Sequence, residues 1–194
     1  MDNRKYPTEL ANVKAIKAKL SKTDYALLEK EFTAAMEQNI FPFWYGTKWD
    51  FNGTTQMPNE GKIACGYFVT TTLSHAGVPL NRVKLAQAAS ETMIRELTEA
   101  KNIHHISNTS ISIFEDKMKK LGNGLYIIGL DNHTGFISIS ETGNYFIHSS
   151  GGFPFQVVKE KISKSKVLKK SNYKVVGKIS ADKSFLKKWI NHSF

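Results

Sequence analysis

Three short apolar runs follow one another late in the chain: Leu125-Tyr126-Ile127-Ile128-Gly129-Leu130, then His133 to Ser140, then Asn144 to Ser150. Asp131-Asn132 separates the first two, and Glu141-Thr142-Gly143-Asn144 the last two. Such residues form tight turns, and breaks this short leave no room for a crossover helix. The runs therefore predict an antiparallel meander.

Upstream the period is helical. Thr8 can cap a helix carrying Leu10, Val13, Ile16 and Leu20, and Ser21 or Thr23 a second with Tyr25, Leu28, Phe32, Ala35 and Met36. A mostly buried helix starts beside Cys65 and stops at Gly77 and Pro79. Asn81 opens a short helix to Ala89, Ser90 caps another to Ala100, and Ser112 to Glu115 reads as a capping box. Beyond the meander, Val157 to Val167 is ambiguous. Tyr173 to Ile179 reads as a last strand, and Ser180 as the cap of a terminal helix. The expected architecture is α+β: an N-terminal helical extension, residues 1–38, packed on a core domain, residues 39–194.

Composition narrows the function classes. No apolar run approaches the ~18 residues of a membrane-spanning helix. The start, Met1 to Pro7, lacks the apolar core of a signal peptide. Two settings follow: a periplasmic or secreted mature form lacking its signal, or a cytoplasmic or delivered protein. One cysteine excludes an intramolecular disulfide. The net charge is +10, from 27 basic and 17 acidic residues, with much of the excess after Lys159. Such a field favours a polyanion, although a solvated face is the plainer reading. No zinc-finger spacing, phosphate loop or nucleic-acid module appears, so no specific nucleic-acid partner is expected.

The chemistry gathers around Cys65. A thiol at a helix N-terminus faces unpaired backbone N–H groups and the positive end of the helix dipole, both of which favour the nucleophilic thiolate. A small buried hydrophobe is the commoner role for a lone cysteine. A nucleophile needs a base, and the base an orienting partner. His133 and His148 supply candidates. Their midpoint, 140.5, lies close to the turn at Thr142-Gly143, so the pair is expected as cross-strand neighbours within ~5.5 Å. Before the cysteine, Phe43-Trp44-Tyr45-Gly46-Thr47-Lys48-Trp49 is dense in aromatics. It reads as a core cluster that also walls a substrate cleft, with Trp44, Tyr45 and Trp49 as binding residues. His104 and His105 are adjacent, so in a strand they point to opposite faces and do not share a metal.

Cys65-Gly66-Tyr67-Phe68-Val69, then His133-Thr134-Gly135-Phe136-Ile137, then Tyr145-Phe146-Ile147-His148-Ser149-Ser150 resembles the NlpC/P60 family of papain-like cysteine peptidases. That family runs Asp-Cys-Ser-Gly-Phe-Val, His-Val-Gly-Ile-Tyr and Ile-His-Ala-Ser. The likeness spans Phe43 to Gly152. Two departures flank the nucleophile: Ala64 stands where the family has Asp, and Gly66 where it has Ser. The resemblance implies a papain-like fold with the nucleophile helix on a small antiparallel sheet. It also implies hydrolysis of an amide bond in peptidoglycan or muropeptides by a Cys65-His133-His148 triad without metal or cofactor. Cys65 N–H and Tyr45 would stabilise the oxyanion. Alternatives are a non-catalytic muropeptide- or polyanion-binding module on the same fold, and an interbacterial amidase toxin with a cognate immunity protein.

Overall fold

A computed structural model describes residues 5–192; Met1 to Arg4 of the expected extension, and Ser193 and Phe194, lie outside the described residues. The protein is mixed α+β, with a six-stranded antiparallel sheet packed between helices. No helix among the described residues is long and apolar enough to cross a membrane.

The chain opens with α1 (Tyr6–Ala18) and α2 (Tyr25–Ala34), which continues through a wide π-helical turn (Ala35–Ile40) into α3 (Phe41–Trp44). The wide turn precedes Pro42, which has no N–H, and Phe41 N–H bonds back to Met36 O. Neither Ser21 nor Thr23 caps α2. Their hydroxyls bond to each other at 3.2 Å, and Asp24 accepts from Leu27 N–H at 3.0 Å instead. The buried stripe of α1 is Tyr6, Glu9, Val13 and Lys17, while Ile16 is exposed. Lys17 is buried because its Nζ donates to Gly77 O at 3.1 Å and His192 O at 2.7 Å, which staples both chain regions together. The boundary expected at 38–39 falls inside this helical run. Leu28, Phe32 and Met36 before it share one core with Phe41, Phe68 and Trp189 after it.

A short parallel pair follows, β1 (Lys48–Trp49) with β2 (Lys62–Ile63), and then α4 (Cys65–His75). Thr70 and Thr72 of α4 are buried but satisfied, since each hydroxyl bonds a carbonyl four residues back, at 3.1 and 2.8 Å. Next come α5 (Arg82–Gln87), α6 (Ser90–Leu97), β3 (Ile103–His105) and α7 (Ile111–Leu121). Ser110 caps α7, and Ser112 only bonds Ser110 Oγ. The sheet then builds from β4 (Gly124–Leu130), β5 (Thr134–Ser140), β6 (Gly143–Ser149) and β7 (Val157–Lys161). After α8 (Lys166–Lys170) the chain forms β8 (Lys174–Lys178) and α9 (Lys183–Asn191). Asp182 caps α9, because Ser180 Oγ is taken by Leu125 N–H at 3.0 Å.

Strand order is β3-β8-β4-β5-β6-β7. The predicted meander is its β4–β5–β6 centre. The lysine-rich C-terminal region is not an appendage: β7 extends one side, and β8 inserts between β3 and β4. Alternation sorts the strand side chains between two cores. Ile127, Phe136, Ile147 and Val175 pack with Phe68 and Val69 of α4, while Ile128, Ile137, Phe146 and Val176 pack with Phe114 and Met118 of α7 and with Leu168 of α8.

Candidate active site

Cys65 is the first residue of α4, delivered by a fixed loop. Ala64 N–H bonds Gly53 O at 2.8 Å, and Ser149 Oγ bonds Ile63 O at 2.7 Å, which ties the segment leading into Cys65 to the end of β6. The cysteine is half-buried. Burial pushes the thiol up from its ordinary range, and backbone hydrogen bonds from Thr134, Gly66 and Cys65 itself only partly offset this. The resting thiolate expected from the helix terminus is therefore not what the environment favours: desolvation outweighs the N–H groups. Cys65, His133 and Thr134 line the same cavity.

His133 closes the two-residue turn between β4 and β5, its carbonyl accepting from Leu130 N–H at 2.9 Å. Asp131 anchors this turn by accepting from Ser171 Oγ at 2.8 Å, Asn172 N–H at 2.8 Å and Tyr173 N–H at 3.2 Å. The two histidines meet, with His133 Nε2 2.7 Å from His148 Nδ1 and the rings nearly perpendicular. They are diagonal rather than directly opposite. Phe136 pairs with Ile147 and Ser140 with Gly143, which centres the hairpin at 141.5, one residue beyond the expected midpoint. Continuing that register sets Gly135 opposite His148, and Gly135 makes the diagonal approach work. A Cβ there would lie 2.8 Å from His148 Cβ and 2.7 Å from Ile147 O.

His148 is 1% exposed and stacks on Phe146 at 3.9 Å. On its far side, His148 Nε2 lies 3.2 Å from Glu160 Oε1 on β7. Burial lowers the affinity of both histidines for a proton, and together with the neighbouring His148 it takes His133 to about 3. Burial of Glu160 favours its neutral form, but hydrogen bonds from His148 and Ser165 overcome this and hold it below the usual carboxylate range.

The histidine row lies on the sheet face shared with Phe146, and Cys65 comes from the helix on the other face. They meet at the end of the β4–β5 hairpin, where two adjoining cavities of about 560 and 520 Å³ open. Cys65, Gly66, Ala86, Asn132 and His133 line both. One lobe runs toward Met93, Glu91 and Tyr173, and the other toward Trp49, Phe51, Tyr67 and Gln87. Tyr173 Oη donates to Glu91, which Arg95 Nε also binds at 2.9 Å.

The aromatic segment divides. Trp49 lines the second lobe. Trp44 does not: it is fully buried, its Nε1 donating to Tyr6 Oη at 2.8 Å in the core. Tyr45 lines neither lobe and packs against the core, so the oxyanion role expected of it has no place at the cleft. Glu160 escaped the sequence reading because the lysine-rich stretch holding β7 is ambiguous, and Tyr173 because the predicted last strand carries no sign of which strand it pairs with. The alternation Val158, Glu160 beside a predicted His148 strand is the only local signal for the former. No family model, no curated protein and no solved structure matches this chain.

Proposed function

We propose that the protein is a cysteine hydrolase cleaving an amide bond in peptidoglycan stem peptides, as an endopeptidase or amidase on a papain-like fold. The observation that carries this reading is the joint lining of one cleft by the Cys65 thiol and the His133 imidazole, with His133 held at 2.7 Å by His148. The resemblance of the three motifs to NlpC/P60 peptidases supplies the substrate class, and the +10 charge suits an anionic wall polymer.

Cys65 and His133 rest as neutral thiol and neutral imidazole. On substrate binding, His133 takes the thiol proton and Cys65 Sγ attacks the amide carbonyl carbon. The tetrahedral oxyanion faces the N–H groups at the start of α4. The imidazolium returns its proton to the amide nitrogen, the C–N bond breaks, and a thioester remains. His133 then draws a proton from water, whose oxygen adds to the thioester and releases the acid and the thiol. His148 holds the His133 ring in place throughout. The periplasmic or secreted setting, and the toxin setting with its immunity partner, both accommodate this chemistry.

Digestion of purified peptidoglycan, read by mass spectrometry of the fragments, tests the reading. Wild type releases defined stem-peptide fragments and Cys65→Ala releases none. Equal digestion by both sinks it. One observation favours a second reading, a non-catalytic muropeptide-binding module: the thiol is pushed up rather than down. Muropeptide binding without turnover, unchanged in Cys65→Ala, would establish that reading instead.

A further inference from the structure

We propose that Glu160 is a positioning residue, which acts through His148 to fix the nitrogen of His133 that carries the proton and leaves the other free for Cys65. This rests on the reading of Cys65 and His133 as nucleophile and base.

The argument is one of donors and acceptors. An ionised carboxylate only accepts, so the 3.2 Å contact requires His148 to carry its proton on Nε2. A neutral His148 then has a bare Nδ1. That atom faces His133 Nε2 at 2.7 Å, so His133 must donate from Nε2. What remains on His133 is a bare Nδ1, the atom a general base needs. Each link forces the next, and reversing the first reverses all of them.

The surroundings hold the row in one state. His148 is enclosed, with Phe146 stacked on its ring and Gly135 leaving space at its Cβ. Burial keeps it neutral, so it transmits a tautomer rather than a charge. Glu160 sits on β7 directly opposite Phe146, the residue whose ring stacks on His148. The lysine-rich region thus supplies the anchor of the row, Glu160 on the edge strand β7.

Long-range proton–nitrogen correlation spectra of the full chain with isotope-labelled histidine read the tautomers directly. In wild type at neutral pH both His133 and His148 are expected neutral and protonated on Nε2. In Glu160→Ala, His148 loses its single tautomer, and iodoacetamide alkylation of Cys65 slows by about tenfold or more. Glu160→Gln keeps an acceptor oxygen and retains the wild-type spectrum and rate. A wild-type His133 protonated on Nδ1, a charged His148, or unchanged tautomers in Glu160→Ala overturns the proposal. Wild-type protein that leaves peptidoglycan intact while showing the expected tautomers counts against the hydrolase reading alone, because the spectra need no substrate.

Discussion

Gly66 and Ala86 approach more closely than any side chain would permit: a Cβ on Gly66 would lie 2.2 Å from the Ala86 carbonyl oxygen. The residue after Cys65 is glycine because α5 crosses there, and Ala86 itself lines both lobes of the cleft. The contacted atom is backbone, so it cannot swing aside. Gly66→Ala should destabilise the fold by on the order of 3 kcal/mol, through overpacking and a forced shift of α5. Thermal unfolding measures it. A melting temperature within a degree or so of wild type would contradict the close crossing.

Gly135 poses the same test inside the histidine row. Gly135→Ala puts a methyl group against His148 Cβ and Ile147 O. The expected result is loss of peptidoglycan turnover larger than the loss of stability, because the ring that holds His133 is displaced. Turnover and denaturant midpoint compared on one preparation decide it. Parallel declines would indicate a packing defect only.

Alkylation of Cys65 reports its protonation. Burial raises the thiol above its ordinary range, so iodoacetamide should react slowly at neutral pH and faster as pH rises through the alkaline range. A rate already at its plateau at pH 6 would mean a resting thiolate and contradict the neutral pair.

Acid should unfold the protein through its neutral histidines. Burial, reinforced by the positive charge of Arg82, holds His75 down to about 4, with Tyr6 Oη 2.9 Å from its Nδ1. The unfolded chain has the ordinary value of ~6.5. Above that pH both states are neutral and nothing changes. Between there and about 4 the unfolded state binds more protons, so stability falls as pH falls. At about 1.4 kcal/mol per pH unit, the full loss from His75 is on the order of 3 kcal/mol, and His133 adds to it in the same direction. Melting temperatures across this window should drop in wild type and drop less steeply in His75→Gln, which retains the contribution of His133.

The two tryptophans separate core from cleft. Trp44→Phe removes the donor to Tyr6 Oη and should cost about 1–2 kcal/mol of stability without altering KM. Trp49→Ala removes one wall of the second lobe and should raise KM with little change in melting temperature. Reversed effects would move the substrate contact back to Trp44.

The sequence by itself determined what depends on near neighbours along the chain. Short apolar runs with turns of two to four residues between them specified the β4–β5–β6 meander, and that meander brought His133 beside His148. The cysteine at a helix start was legible for the same reason. Tertiary structure decided the rest. The one-residue shift in hairpin centre came from turn geometry and turned a facing pair into a diagonal one, which needed Gly135. Trp44 and Trp49 look alike in sequence, yet a helix end buries one and a short strand presents the other. The thiol's protonation followed from desolvation, which no local pattern reports. Glu160 and Tyr173 reach the site only because β7 and β8 pair with strands formed earlier in the chain, and such long-range pairings leave no mark in a window of neighbouring residues.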